Sequence, residues 1–164
     1  MKDVYLLLGS NIGDRALWMA KALDLLAENG VIVLKESATY ETEAWGNTGQ
    51  PSFYNKVVLV RTTLQPLPLL NSVLQVETKL GRLRTEKWGP RIIDIDILFY
   101  ADMVLEADEL TIPHPMIAAR RFTLLPLAEI APAFIHPVLN LSIAQLLGAC
   151  ADTLDVRKVD TQPL

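Results

Sequence analysis

Cysteine is almost absent: Cys150 is the only one, so no internal disulfide can form and no companion thiol stands at zinc-ligand spacing. Cys150 is predicted to be a small buried apolar residue. Histidine is nearly as scarce, with His114 and His136 alone, and neither has a nearby nucleophile that would suggest a Ser-His-Asp arrangement. No apolar run approaches the roughly 20 residues of a membrane-spanning helix. The opening stretch from Met1 to Gly9 carries Lys2 and Asp3 and is too short and too acidic for a secretory signal. Positive charge is not in excess either: the net charge is −4 and the isoelectric point about 5.1. That balance argues against a broad nucleic-acid or anionic-lipid footprint. Gly9-Ser10-Asn11-Ile12-Gly13 lacks the lysine of a P-loop, so any phosphate binding must come from side chains and metal. Internal repeats and low-complexity tracts are missing as well.

What remains is a chain of 164 residues, 51% hydrophobic and 21% charged, which is long enough to bury roughly two thirds of its unfolded surface in one core. The expectation is one cytoplasmic domain spanning residues 1–164, with no membrane segment and no obligate protein partner evident. Asp3 to Leu8 reads as a first strand halted at Gly9-Ser10-Asn11. Asp14 is a candidate N-cap for a helix to Glu28, with Ala16, Leu17, Ala20, Leu23 and Ala27 on one face and Asn29-Gly30 as its stop. Val31 to Tyr40 and Phe53 to Thr62 are predicted strands, separated by a long connection. A helix from Pro66 to Leu80 ends at Gly81. A second long loop then opens into a strand from Arg91 to Tyr100. The order βαββαβ predicts an α+β, ferredoxin-like fold, an antiparallel sheet with helices on one face. A C-terminal extension follows, with a hairpin around Val104 to Ile112 and helices near Arg120 to Ile130 and Ser142 to Cys150.

The strand before Tyr100 alternates. Ile93, Ile95, Ile97 and Phe99 are predicted on one face, while Asp94 and Asp96 leave the other, about 7 Å apart at a rise of about 3.3 Å per residue. Paired carboxylates at this spacing suit a hard cation such as Mg²⁺ shared with substrate phosphates. A solvated strand face is the alternative, and nucleases and glycosyltransferases use a similar pair. Lys79, Arg82, Arg84, Lys87 and Arg91 make up five of the fifteen basic residues against one acid, Glu86, in that interval. The planar forks of Arg82, Arg84 and Arg91 suit phosphate oxygens. Trp88, in the same loop, either anchors it or closes over a ligand. His114 is fixed between Pro113 and Pro115, so it faces phosphate or metal unless it merely bonds backbone. Glu77 either supports the carboxylate site or the arginine loop, or lies on a solvated helix face. Phe53 and Asn55 share a strand face and can stack on a flat heterocycle while bonding its amide edge, unless Phe53 is simply core. His136 is predicted at the surface.

The run Trp88-Gly-Pro-Arg-Ile-Ile-Asp-Ile-Asp-Ile-Leu98 resembles the signature of the 6-hydroxymethyl-7,8-dihydropterin pyrophosphokinase family of folate biosynthesis. Further matches are Leu8 to Asn11, Tyr40-Glu-Thr42 with Gly46, Gln50 to Asn55, Glu77 with Gly81-Arg82, Leu110 to Pro115, Arg120 to Phe122 and Pro126 to Ile130. The resemblance implies transfer of pyrophosphate from ATP to the pterin hydroxymethyl group, with AMP leaving. It implies two Mg²⁺ ions held by Asp94 and Asp96, and phosphates contacted by Arg82, Arg84, Arg91, His114 and Arg120. It also implies a pterin between Phe53 and Phe122 read by Asn55 and Thr42, and adenine beside Ile97 and Thr111. Phe53 replaces a tyrosine of some relatives, Ala44 a frequent proline, and Glu109 and Leu74 polar or basic residues near the nucleotide. Two rival readings are a metal-dependent nucleotide hydrolase, which shares the carboxylates, and a non-catalytic ferredoxin-like binding module. The module predicts paired aromatics on a basic sheet face.

Overall fold

The computed structural model describes residues 1–43, 49–81 and 92–159. Two long strands lie at the centre: β1 (Lys2–Ser10) pairs antiparallel with β4 (Phe53–Thr62) from Lys2↔Thr62 to Ser10↔Tyr54. On its other side β1 pairs antiparallel with β5 (Asp94–Tyr100). The far edge of β4 is shared by β2 (Ile32–Glu36) and β3 (Tyr40–Thr42). The predicted strand Val31 to Tyr40 is therefore two strands. Between them Ser37 replaces the ladder, its N–H donating to Val57 O at 2.9 Å and its Oγ accepting from Val57 N at 3.0 Å. A final strand, β8 (Val156–Lys158), pairs antiparallel with β3, giving the order β5-β1-β4-β3-β8 with β2 also on β4. Sequence reasoning did not anticipate β8.

Both faces of the sheet are covered. Val4, Leu6 and Leu8 of β1 pack with α1 (Arg15–Glu28) and α2 (Pro66–Lys79) on one side. Leu7, Val57 and Phe99 pack with α3 (Arg121–Ile130) and α4 (Ile143–Ala149) on the other. Such burial explains the near-continuous apolar run of β1, since a sheet covered on both faces has no solvent side to alternate toward. Helices thus lie on both faces, the first two on one and the C-terminal pair on the other. The β6 (Leu105–Glu106) and β7 (Thr111–Ile112) hairpin stands apart as its own two-stranded sheet.

Further expectations need correcting. In α1 the buried line is Met19, Ala22 and Leu26, while Leu17 is exposed; alanines and leucines lie all round this helix, so periodicity does not resolve its phase. In β5 the register slips between Ile97 and Phe99 opposite Leu6 and Tyr5, leaving Leu98 as an extra residue. Ile93, Ile95 and Ile97 therefore face α1 and α2, but Phe99 joins Leu98 on the opposite face. His136 is buried rather than on the surface; its Nδ1 accepts from Val138 N and Leu139 N at 3.2 and 3.1 Å, and burial lowers its pKa. Cys150 is half-buried at the C-cap of α4. No helix among the described residues is long and apolar enough to cross a membrane.

The start of β4 is clamped to the β1–α1 connection. Asn11 Nδ2 donates to Gln50 Oε1 and Pro51 O, each at 3.1 Å. Arg15 Nη1 reaches Ser52 O at 3.0 Å and Glu41 Oε2 at 3.1 Å, with its guanidinium 3.7 Å from the Tyr54 ring centroid. The Ser52 hydroxyl donates to Glu41 and, with Arg15, holds that carboxyl below its usual 4.5 despite the opposing effect of burial. A depressed folded pKa stabilises the protein above the unfolded value and is lost as pH falls through the folded one. Urea midpoints at pH 6 and pH 3.5, values about a unit or more either side of the ordinary glutamate value, are therefore expected to differ less in Glu41→Gln than in the wild type. An equal acid loss in the two proteins removes Glu41 from this account.

Candidate active site

At the ends of β1, β3, β4 and β5 opens a cleft lined by Leu7, Gly9, Thr42, Glu43, Phe53, Asn55, Asp94, Asp96, Arg120 and Phe122. The register explains the gathering. Gly9 stands opposite both Asp94 on β5 and Asn55 on β4, and Asn55 in turn opposite Tyr40 on β3. Side chains of alternate residues leave the same face, so Phe53 with Asn55, and Asp94 with Asp96, point into one space. Thr42 and Asn55 are each only 4% exposed, so their polar groups have fixed directions rather than a solvated surface.

The predicted strand stop at Gly9 lies inside β1. A Cβ there would sit 2.9 Å from Asn55 Oδ1 and 3.7 Å from Phe53 Cδ1, so the missing side chain makes room for the Asn55 amide. Leu7 and Glu43 also line the cleft without having been singled out. The alternation of β1 contains the signal for Leu7, because it shares a face with Gly9; nothing in the local pattern marks Glu43.

Arg120, at the N-cap of α3, is buried, and its guanidinium carbon lies 5.5 Å from the Phe122 ring centroid. Burial lowers its pKa while Asp96 and Asp94 oppose that shift, and a guanidinium remains charged throughout. One wall therefore carries a fixed cation facing two carboxylates.

On the other side of β5 a second cleft is lined by Leu70, Ile95, Asp96, Ile97, Asp108, Glu109, Leu110, Thr111, His114 and Pro115. Asp96 borders both clefts. His114 is pinned by its own N–H to Leu98 O at 3.0 Å, after a cis Ile112–Pro113 peptide. Its Nδ1 accepts from Met116 N at 3.1 Å, so the neutral ring carries its proton on Nε2, which lies 4.0 Å from Asp96 Oδ2. Burial, with Arg120 adding to it and Asp94 opposing, lowers the His114 pKa to about 4. The ring is neutral near pH 7, and the Asp96 contact is a dipole approach rather than an ion pair. The backbone reading of His114 is therefore met at Nδ1, and Nε2 faces the Asp96 carboxylate.

Glu77 is 2% exposed, which rules out a solvated helix face. Its Oε2 accepts the Ile95 N–H at 2.9 Å. Since β5 is an edge strand, this amide points away from the sheet and needs an acceptor. A carboxylate from α2 thereby fixes the backbone between Asp94 and Asp96. Arg82, Arg84, Trp88 and Arg91 lie outside the described residues.

A sequence model of the family described as 7,8-dihydro-6-hydroxymethylpterin-pyrophosphokinase (HPPK) matches residues 5–132. The chain belongs to this family. It is 46% identical over 138 residues to the 2-amino-4-hydroxy-6-hydroxymethyldihydropteridine pyrophosphokinase of Aquifex aeolicus, covering 84% of this chain and 86% of that protein. It is 43% identical over 127 residues to the enzyme of the same name from Bacillus subtilis, covering 77% and 76%. Its fold resembles the crystal structure of wild-type Plasmodium falciparum HPPK-DHPS, with a TM-score of 0.68 at 20% identity over 90% of this chain. The chain spans 43% of that longer protein. Membership of a pyrophosphokinase family gives a reaction class to a site in which one carboxylate borders two clefts.

Proposed function

We propose that this chain is an ATP-dependent diphosphotransferase that moves pyrophosphate from ATP to the hydroxymethyl group of 6-hydroxymethyl-7,8-dihydropterin, releasing AMP in folate biosynthesis. The observation that carries the reading is the place of Asp96, bordering both the aromatic cleft of Phe53, Asn55 and Phe122 and the second cleft of Ile97, Thr111 and His114. A flat pterin in the first and the nucleoside of ATP in the second bring the transferring phosphates to the carboxylates between them. Phe53 and Phe122 supply stacking faces. Asn55 offers both a carbonyl and an amide N–H to the pyrimidinone edge. Arg120 and the neutral Nε2–H of His114 supply donors to phosphate oxygens, and Arg82, Arg84 and Arg91 are assigned to the same charge from their sequence positions.

Asp94 and Asp96 fit Mg²⁺. Among the described residues no group of three or more His, Cys, Asp or Glu side chains forms a self-sufficient metal site; Mg²⁺ characteristically takes one or two carboxylates, with phosphate and water completing its shell. Two such ions, when bound, would neutralise phosphate charge and align the attacking and leaving oxygens. The chain's own part is positioning: holding the pterin hydroxyl in line with the β-phosphorus and excluding water from it, which is most of what phosphoryl-type transfer demands. We read the sheet as ferredoxin-like, supported by the order β5-β1-β4-β3 with α1 and α2 on one face. The 164 residues are read as one catalytic domain, and a cytoplasmic location goes with the use of ATP.

Incubation with ATP and Mg²⁺ is expected to yield AMP only when the dihydropterin is added. AMP or ADP appearing at the same rate without pterin favours a hydrolase, and no turnover favours a binding module; either result overturns the proposal. Gly9→Ala is expected to raise the KM for pterin about tenfold or more, because the new methyl group displaces the Asn55 carbonyl and a polar contact to the ligand is left unmade. ATP affinity, measured by titration, stays unchanged. A variant with wild-type pterin KM removes Asn55 from substrate recognition.

A further inference from the structure

The C-terminal segment past the family match, which ends at residue 132, touches both walls of the pterin cleft. On the Thr42 wall, β8 pairs with β3 in the register Tyr40↔Lys158, Glu41↔Arg157 and Thr42↔Val156. Thr42 Oγ1 donates to Asp155 O at 3.1 Å, and Val159 N donates to Thr39 O at 2.8 Å. Arg157 Nη2 approaches Glu41 Oε1 at 3.6 Å, and Lys158 Nζ approaches Glu129 Oε1 on α3 at 3.1 Å. On the opposite wall, Asp152 Oδ2 accepts the N–H of Arg121 at 3.0 Å. Arg121 begins α3 and stands between the cleft residues Arg120 and Phe122. The other oxygen of Asp152 accepts Leu154 N at 3.0 Å, so one carboxylate ties the helix start to the turn that leads into β8.

We propose that Asp152–Lys158 is a positioning element that sets the separation of the Thr42 wall from the Arg120 and Phe122 wall, and so tunes affinity for the pterin. This rests on the pterin assignment made above. Two consequences follow from the chemistry. A hydroxyl has one proton to give, and that of Thr42 is given to Asp155 O, so Thr42 meets substrate as an acceptor of pterin N–H groups. A helix start held by a carboxylate is also favoured by the helix dipole, which anchors the residue next to Phe122. Binding a flat ring between two aromatic faces depends steeply on their separation, and the nucleotide cleft, which contains none of these contacts, does not.

The test is steady-state kinetics on the full chain, with the dihydropterin and ATP varied in turn. Asp152→Ala is expected to raise the pterin KM about tenfold, as for a displacement on the order of 1 Å in a positioning contact, with kcat lowered as well because Arg120 shares the moved wall, the KM for ATP within about twofold and the melting temperature little changed. Asp152→Asn, which keeps an oxygen for the Arg121 N–H, recovers most of the loss. Arg157→Ala, which breaks the contacts to Glu41 and Asp155 but leaves Asp152 in place, gives a smaller rise of the same kind. An unchanged pterin KM in Asp152→Ala overturns the inference while leaving the reaction assigned. A parallel rise in both KM values with a lowered melting temperature also overturns it, since that is general loosening. A wild-type protein that makes no pterin-dependent AMP overturns the site reading and this inference with it.

Discussion

Asp96→Ala is expected to lower kcat at least about a thousandfold, equivalent to about 4 kcal/mol of transition-state stabilisation, with the melting temperature close to that of the wild type. The magnitude follows from position. Asp96 borders both clefts and stands opposite Leu7 in the middle of the paired stretch of β5. On the proposed assignment, removing it takes one of the two carboxylates that would hold Mg²⁺ where the phosphates cross. The side chain is partly exposed and fills no core space, so folding does not depend on it. Asp96→Asn separates charge from shape: it keeps the size and one oxygen, and its kcat is expected to stay within about tenfold of the alanine variant if charge is what matters. Single-turnover kinetics with saturating ATP and pterin check this directly. Near-normal turnover in Asp96→Ala removes the metal assignment altogether.

Glu77→Ala carries the second large effect, and it acts at a distance. Deleting this carboxylate leaves the Ile95 N–H buried without its acceptor, at a cost of about 1–3 kcal/mol, and frees the edge of β5 between the two aspartates. Both stability and rate are expected to fall, the unfolding free energy by the amount just stated and kcat by about tenfold or more, since small displacements of catalytic groups are costly. Glu77→Gln keeps an oxygen facing Ile95 N and is expected to restore most of both. Loss of stability with full kcat in Glu77→Ala contradicts the link between this edge contact and the carboxylates.

How much of this was legible in the amino-acid order depends on the range of the interaction concerned. The Asp-Ile-Asp alternation is a local pattern, and a strand has only two faces, so Asp94 and Asp96 follow directly from spacing. Phe53 and Asn55 follow in the same way. Pairing partners are non-local: nothing near Gly9 says that Asn55 will lie across from it, and the glycine then looks like punctuation rather than space reserved for an amide. Glu77 was ambiguous because a helical period leaves a borderline residue on either side of the buried stripe, and the acceptor's purpose appears only once β5 is seen to be an edge. The register slip at Leu98 escaped because both faces of the sheet are apolar, so alternation carries no penalty for failing. The strand β8 is three residues long, Val156, Arg157 and Lys158, two of them charged. Its membership of the sheet comes from partners on β3 and α3 rather than from its own composition. The burial of His136 is not legible from its neighbours, because the two backbone amides that satisfy its ring in the interior belong to the turn that follows it.

The most direct test is a crystal structure with a non-hydrolysable ATP analogue, Mg²⁺ and 6-hydroxymethylpterin bound together. The account predicts Mg²⁺ within about 2.0–2.1 Å of carboxylate oxygens of both Asp94 and Asp96, the pterin ring between Phe53 and Phe122, and the nucleoside beside Ile97 and Thr111. A triphosphate bound away from the two aspartates, or a pterin outside the Phe53 and Phe122 cleft, contradicts it.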